Sequence, residues 1–279
     1  MMGQTEKEKK ELIRLRDEKK YQTIYLDELP RHLVTVPSFF MGKYPITQAQ
    51  WHIVATSYQK VIQELNPTPS HFKGDRLPVE QVSWDDAQEF CRRLSNQHTT
   101  RTYRLPSESE WEYACSALPI SLAGTFRSGD VLNEGDLSFP FHFGETIDAS
   151  LANYCAQNLE IHKEYYPGVY DRGVLGEYRE RTTEVKTFLP NAFGLYDLHG
   201  NVLEWCEDDW HSNYQNAPDD GSAWVESDRK NANRLLRGGS WRNYPLNCRS
   251  ASRASKPRAS CLNYLGFRVC CDVGGFSSP

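Results

Sequence analysis

The residues of this sequence best able to do chemistry are its thiols, imidazoles and carboxylates, and spacing decides what they can do. Eight cysteines are present: Cys91, Cys115, Cys155, Cys206, Cys248, Cys261, Cys270 and Cys271. None forms a C-x-x-C pair, and no Cys and His stand at the spacing of a zinc site. The even count permits a disulfide framework, but a 279-residue chain of cytoplasmic character does not need one, so free and mostly buried thiols are expected. The eight histidines, His32, His52, His71, His98, His142, His162, His199 and His211, include no close metal-type pair, and scattered exposed imidazoles are expected. A net charge of -5 gives no basic face for non-specific nucleic-acid binding.

The elements that must position these groups can be read from periodicity. Hydrophobic residues are 39% of the chain, with 7 Trp, 15 Tyr and 12 Phe, enough for a sizeable core. No apolar run approaches the ~18 residues of a membrane span, and the charged start, MMGQTEKEKKELIRLRDEKK, is not a secretory signal. Residues 1–29 are a charge run, predicting a solvated loop or short surface helix. His32 to Val36 alternates and predicts a strand, continued by β character from Phe39 to Tyr44. Three N-cap signals follow. Thr47 and Gln50 form a capping box before Trp51, Val54, Ala55 and Tyr58. Ser83 precedes Asp85 and Asp86 and the apolar stripe Ala87, Phe90, Cys91, Leu94. Ser107 and Glu110 form a second box before Trp111 and Ala114. From Ala123 to Lys186 the chain is irregular and predicts long loops held against the surface. Beyond Asn191, glycines beside aromatic residues suggest strands that turn sharply or approach closely.

Six ordered stretches, GKYPITQAQW, VSWDDAQEFCRRL, YRLPSESEWEYAC, NAFGLYDLHGNVLEW, LRGGSW and GFRV, resemble the formylglycine-generating enzyme, or sulfatase-modifying factor, family from about Pro30 to Val269. The resemblance implies an irregular α+β domain of C-type-lectin type, with two or three helices, short antiparallel sheets and little regular structure. The division it suggests is a charged segment 1–29, one domain over 30–273 and a tail 274–279. Met2-Gly3 is similar to the end of a β segment that precedes the family's divergent region, so further domains in a longer protein are expected.

The family's oxidase activity depends on two cysteines after the GGS motif that bind copper and engage a substrate thiol; soft thiolates suit copper(I). Here the first of these positions falls on Asn243 and the second in a shortened segment. Cys248 precedes Arg249, and Cys261 lies beyond it. An amide cannot replace a thiolate as nucleophile or copper ligand. The resemblance therefore implies a non-catalytic module without copper, with a copper-dependent thiol oxidase using displaced cysteines as the alternative. A regulatory or scaffold domain attached to another effector is a third reading. The branch similar to ergothioneine-forming sulfoxide synthases is not supported, because its iron-binding histidines and helical domain have no counterpart.

The stretch 242–264 is rich in Arg, Asn, Tyr and Ser, residue types that binding surfaces favour. It resembles the variable region of diversity-generating-retroelement proteins, whose mutagenesis replaces adenines in Asn codons. Arg242, Asn243, Tyr244, Leu246, Asn247, Ser252, Ala254, Ser255, Arg258, Ser260, Leu262, Asn263 and Tyr264 are all reachable that way; Lys256 is not and must be fixed. These thirteen positions are the expected binding site for a protein or small-molecule ligand, with no membrane partner. Arg249, Arg253 and Arg268 belong to the frame and are expected to pair with buried carboxylates or carbonyls. The family's calcium loop carries over to the side chains of Asp197 and Glu204 and the carbonyls of Gly200 and Val202, and implies a structural Ca2+.

Overall fold

The computed structural model describes residues 1–98, 100–117, 138–227 and 232–272, so the tail 274–279 lies outside the described residues. All three capped helices form where the sequence places them. Thr47 caps α3 (Gln48–Ser57), Ser83 caps α4 (Trp84–Gln97) and Ser107 caps α5 (Glu108–Cys115), each with a reciprocal bond from the third helical residue. The caps are local, needing only side chains three residues apart, which explains why they are legible in the sequence. Helix α4 buries Ala87, Phe90 and Cys91, and Leu94 packs at the edge of the same cluster.

The charged N-terminus departs from expectation. It forms two helices, α1 (Glu6–Arg16) and α2 (Glu18–Ile24), which bury Leu12 and Tyr21 against Phe141, Ile147 and Tyr154. The segment 1–29 is thus part of the domain core rather than a solvated leader. Its charges are buried with partners from the other end of the chain. Arg249, fully buried, donates to Glu8 at 3.0 Å and to both oxygens of Glu28 at 2.9 and 2.5 Å. The expected strand at His32–Val36 also fails to form. His32 makes one bridge to Met2, and Leu33 is exposed, because no neighbouring strand offers an edge there.

Strand β1 (Phe39–Met41) pairs with β9 (Cys270–Asp272), which also pairs with β2 (Tyr103–Arg104), closing the domain's two ends into one sheet. Among the described residues the irregular middle contributes one named hairpin, β3 (Leu159–Ile161) with β4 (Glu164–Tyr166). The motif-dense C-terminal part supplies the central sheet, in the order β7 (Arg253–Pro257), β6 (Asn233–Arg237), β5 (Leu203–Asp209), β8 (Leu265–Gly266). Trp51 stacks on Phe90, and Phe267 meets both edge-on, packing α3 and α4 on this sheet. The result is the α+β architecture with short sheets expected from the sequence. No helix among the described residues is long and apolar enough to cross a membrane.

Replacing Glu28 by Ala leaves the buried Arg249 guanidinium with only Glu8. Urea denaturation should show a loss of about 3–5 kcal/mol, the cost of stranding half of a buried pair. An exposed, dispensable N-terminus would show almost none.

Candidate functional site

The site is built around the turn that follows β6. Gly238 and Gly239 both have positive φ, 96° and 70°. A Cβ on the first would lie 2.9 Å from the Trp111 ring, and one on the second 2.5 Å from the Cys248 sulfur, so only glycine fits. The turn delivers Trp241, Arg242 and Asn243 to the surface. Asn243 donates its N–H to the Ser240 carbonyl at 3.0 Å and accepts the Ser240 hydroxyl at 2.6 Å; its carbonyl accepts from the Cys155 N–H at 2.8 Å. Its amide is fixed in the turn.

The thiols near this turn are poor nucleophiles. Cys248 ends the 3-10 turn Pro245–Cys248 and is buried, and burial followed by the neighbouring Cys155 pushes its thiol far up. Burial also raises Cys155 and brings Cys115 to about 12. Cys261 is exposed, turned towards the Ala259 carbonyl near Asp86 rather than towards Cys248, and it too is raised, by desolvation and then by Asp86. All eight cysteines are free, seven of them buried. Two histidines differ from the expected exposed state. His199 is buried, its Nδ1 bonding to the Cys248 carbonyl at 2.7 Å while Nε2 accepts from the His142 backbone N–H at 3.0 Å. Burial lowers it to about 4, so it is a neutral brace for the loop that carries the buried His142.

The thirteen predicted binding positions divide by burial. Tyr244 and Leu246 belong to the core that holds the N-terminal helices, Tyr244 stacking on Tyr166 at 4.8 Å, and Ser252 is buried beside Arg253. These three are not available to a ligand, because a 3-10 turn and a strand start draw them inward. Ala254 and Ser255 lie in β7, half buried, and Leu262 packs on the α3–α4 cluster. Arg258 is committed to Asp85 and stacks on Trp84 at 5.3 Å. Asn247 and Ser260 are half buried, and Asn243 serves the turn. Arg242, Asn263 and Tyr264 remain together. The Arg242 guanidinium lies 4.7 Å from the Tyr264 ring, and the Asn263 carbonyl accepts from Trp241 Nε1 at 3.0 Å.

The rest of this face comes from parts of the chain that the sequence did not single out. Phe72 meets Trp241 edge-on at 5.7 Å, Tyr178 stacks on it at 6.3 Å, and the Arg181 guanidinium lies 5.7 Å from the Phe72 ring. Trp241 is the nearly buried floor; Phe72, Tyr178 and Tyr264 are half-exposed walls; Arg181 and Arg242 are exposed. Nothing in the spacing of residues 72, 178 and 181 signals this, since the three converge only through loop packing.

Of the expected calcium ligands, Asp197, Gly200 and Val202 precede β5 and Glu204 lies within it. Glu204 is occupied: Arg268 grips both its oxygens at 2.6 and 2.8 Å, and Trp111 Nε1 donates to one of them at 2.8 Å. Asp197 accepts from the Lys186 N–H through one oxygen, while the other is buried without a partner. Burial raises its carboxyl to about 6. That orphaned oxygen fits a hard cation; Glu204 could contribute only through an oxygen already held by Arg268. Among the described residues no three His, Cys, Asp or Glu side chains cluster as ligands.

Phe72 itself is held by Glu80. Glu80 is wholly buried, accepts the Phe72 N–H at 2.9 Å and leaves its second oxygen without a partner. Burial pushes its carboxyl up to about 7. A folded-state value above the unfolded one means that the protonated form is favoured by folding; this stabilisation is full below about pH 4.5 and is lost as pH rises through 7. Glu80→Gln, an isostere of the neutral acid, should therefore gain stability relative to the parent between pH 5 and pH 8, read as a widening difference in melting temperature. A constant difference would show Glu80 to be ionised throughout.

With this geometry established, comparison with known proteins becomes informative. The sequence pattern of the Sulfatase-modifying factor enzyme 1-like domain matches residues 2–273. The chain is similar to chaperone protein LppX of Paenibacillus barcinonensis, 27% identical over 232 residues, 70% of this chain and 72% of that protein. It is similar to serine/threonine-protein kinase Pkn1 of Chlamydia trachomatis, 28% identical over 265 residues, 88% of this chain but 35% of the kinase. It is also similar to the formylglycine-generating enzyme of Streptomyces coelicolor, 31% identical over 202 residues, 70% of this chain and 53% of the enzyme. The chain thus spans about a third of that kinase and about half of that enzyme. Among solved structures, PvdO from Pseudomonas aeruginosa superposes with a TM-score of 0.63 at 28% identity, over 89% of this chain and 86% of PvdO. Treponema denticola variable protein 1 superposes at 0.60 with 24% identity, over 89% of each chain, and so shares the fold. On the strength of a family pattern that runs from the buried N-terminal helices through the double-glycine turn to β9, the chain belongs to the Sulfatase-modifying factor enzyme 1-like family.

Proposed function

We propose that this member of the family is a ligand-binding module that has no thiol oxidase activity, and that its ligand sits on the face around Trp241. The observation that carries the reading is the chemistry of the double-glycine turn. An amide that fixes the turn, Asn243, stands at the position which the family resemblance assigns to a reactive cysteine, and the nearest thiol, Cys248, is buried and raised. A thiol becomes a nucleophile or a copper ligand as the thiolate, and sites that use one lower its pKa; burial here does the reverse. These residues do not fit a copper centre. The surface beside the turn combines aromatic walls and guanidinium groups, a composition suited to holding a ligand.

Diversification by a retroelement is the finer form of this proposal. Only positions outside the core can be exchanged at a cost near ~0.5 kcal/mol. Burial therefore narrows the exchangeable set to the exposed and half-exposed members of 242–264, with Arg242, Asn263 and Tyr264 at its centre. A reverse transcriptase gene beside a near-copy of the coding stretch for 242–264, differing only at adenines, would support it directly.

Two measurements test the reading. Oxygen consumption with copper(I) and a cysteine-containing peptide should stay at the protein-free rate; turnover that disappears in Cys248→Ser or Cys261→Ser would establish the oxidase instead. For the structural cation, millimolar calcium should raise the melting temperature by a few degrees over the chelated protein, with the rise reduced in Asp197→Asn. An unchanged melting temperature would leave Glu204 solely the partner of Arg268.

A further inference from the structure

The Trp241 face carries a charge pattern that its aromatic residues alone do not explain. Arg181 and Arg242 are both exposed: Arg181 lies over Phe72, whose ring meets Trp241, and Arg242 lies over Tyr264. Neither has a carboxylate partner among the described residues. Other arginines of the same loops differ, since Arg179 is paired with Glu177 at 3.1 Å and Arg76 with Glu184 at 3.3 Å, while Lys73 donates only to the Thr68 carbonyl at 3.2 Å. Of the carboxylates on the Glu177–Glu184 stretch, only Glu180 lacks a cation partner among the described residues. The face therefore presents two unneutralised guanidinium groups, each already oriented by a ring.

A second observation points to a ligand at the same place. From Arg181 the face continues into an open cleft of about 480 Å³ lined by Lys73, Arg179, Arg181, Thr182 and Thr183, and by Glu177 and Glu184, which are already paired with Arg179 and Arg76. Thr182 is 1% exposed, yet its hydroxyl has no hydrogen-bond partner. A buried hydroxyl without a partner is uncommon, and this one, on the residue after Arg181, would be satisfied by an anionic oxygen entering the cleft.

We propose that this face takes an acidic peptide. Its carboxylates pair with Arg181 and Arg242, the carboxylate nearest Arg181 receives the Thr182 hydroxyl, and an apolar side chain rests on the walls formed by Phe72, Tyr178 and Tyr264. This deepens the ligand-binding reading and rests on it. Planar guanidinium groups match carboxylates in a bidentate fork, and ring stacking holds each fork ready, so little is lost in ordering them. A nucleic-acid strand is the weaker fit, because a chain of net charge -5 lacks the row of cations that tracks a phosphate backbone.

The test uses the whole chain and fluorescence polarisation of a labelled peptide, Glu-Asp-Phe-Glu-Asp. Parallel probes replace its acids by Gln and Asn, replace them by Lys, or use oligothymidine. The acidic peptide should bind best, and binding should weaken as salt rises from 50 to 300 mM. Arg181→Gln and Arg242→Gln should each weaken it about tenfold or more, the worth of a charge-assisted hydrogen bond, without altering the melting temperature. Tyr264→Ala should weaken it too. Preference for the neutral, basic or nucleic-acid probe, with binding lost in Tyr264→Ala but indifferent to both arginine variants, would overturn the acidic assignment while keeping the binding module. Failure of every probe to bind would count against both.

Discussion

A guanidinium group buried in a protein must carry its counter-charge with it, and this domain is arranged around that requirement. Arg237, Arg249, Arg253 and Arg268 all lie in the C-terminal quarter and are buried. Each meets a carboxylate from an earlier part of the chain: Glu112, Glu28 with Glu8, Glu108, and Glu204 respectively. Most of the remaining guanidinium donors go to loop carbonyls, Arg237 Nε being left without a partner. Arg237 reaches those of Ser250, Ala251 and Ser252, Arg253 those of Asp27 and His211, and Arg268 those of Gly42 and Tyr196. In a fold with little ladder hydrogen bonding these bonds replace secondary structure. Buried pairs add little net stability compared with a well-packed apolar alternative, but a chain that has them cannot place either partner elsewhere without stranding a charge. They specify where irregular loops lie.

This framework explains how an irregular surface can be well positioned. The turn at Gly238–Gly239 is fixed from below by Trp111 and Cys248 and from the side by Ser240 and Asn243. Arg249 and Arg253 anchor the chain just beyond it. Along this part of the chain Tyr244, Leu246 and Ser252 are buried, while Arg242 is exposed and Asn263 and Tyr264, beyond Arg253, are half-exposed. Burial that raises the Cys248 thiol and burial that makes the frame rigid are the same physical event: removing Cys248 from water raises its thiol while it fills the space under the glycine turn.

Phe72 links the framework to the surface. Its backbone is held by the buried Glu80, and its ring bridges Trp241 and Arg181. A loop far from the double-glycine turn in sequence thereby supplies a wall of the same face.

How much of this was legible depended on the range of the interaction. The caps at Thr47, Ser83 and Ser107 act within one helical turn, so residue spacing alone determined them. The frame arginines Arg249, Arg253 and Arg268 were legible as structural because they belong to the motif-like frame around the variable stretch. Their partners were not, since Glu28, Glu108 and Glu204 lie 221, 145 and 64 residues away from Arg249, Arg253 and Arg268. The N-terminal charge run was read as solvated because charges usually are; only tertiary contact turned Glu8 and Glu28 into the counter-ions of Arg249. Likewise the sequence determined which residues near 242–264 were chemically suited to binding, while the fold decided which of them reach the surface and brought Phe72, Tyr178 and Arg181 beside them. Burial is a property of the packed whole, and no local pattern encodes it where the chain has neither helical nor strand period.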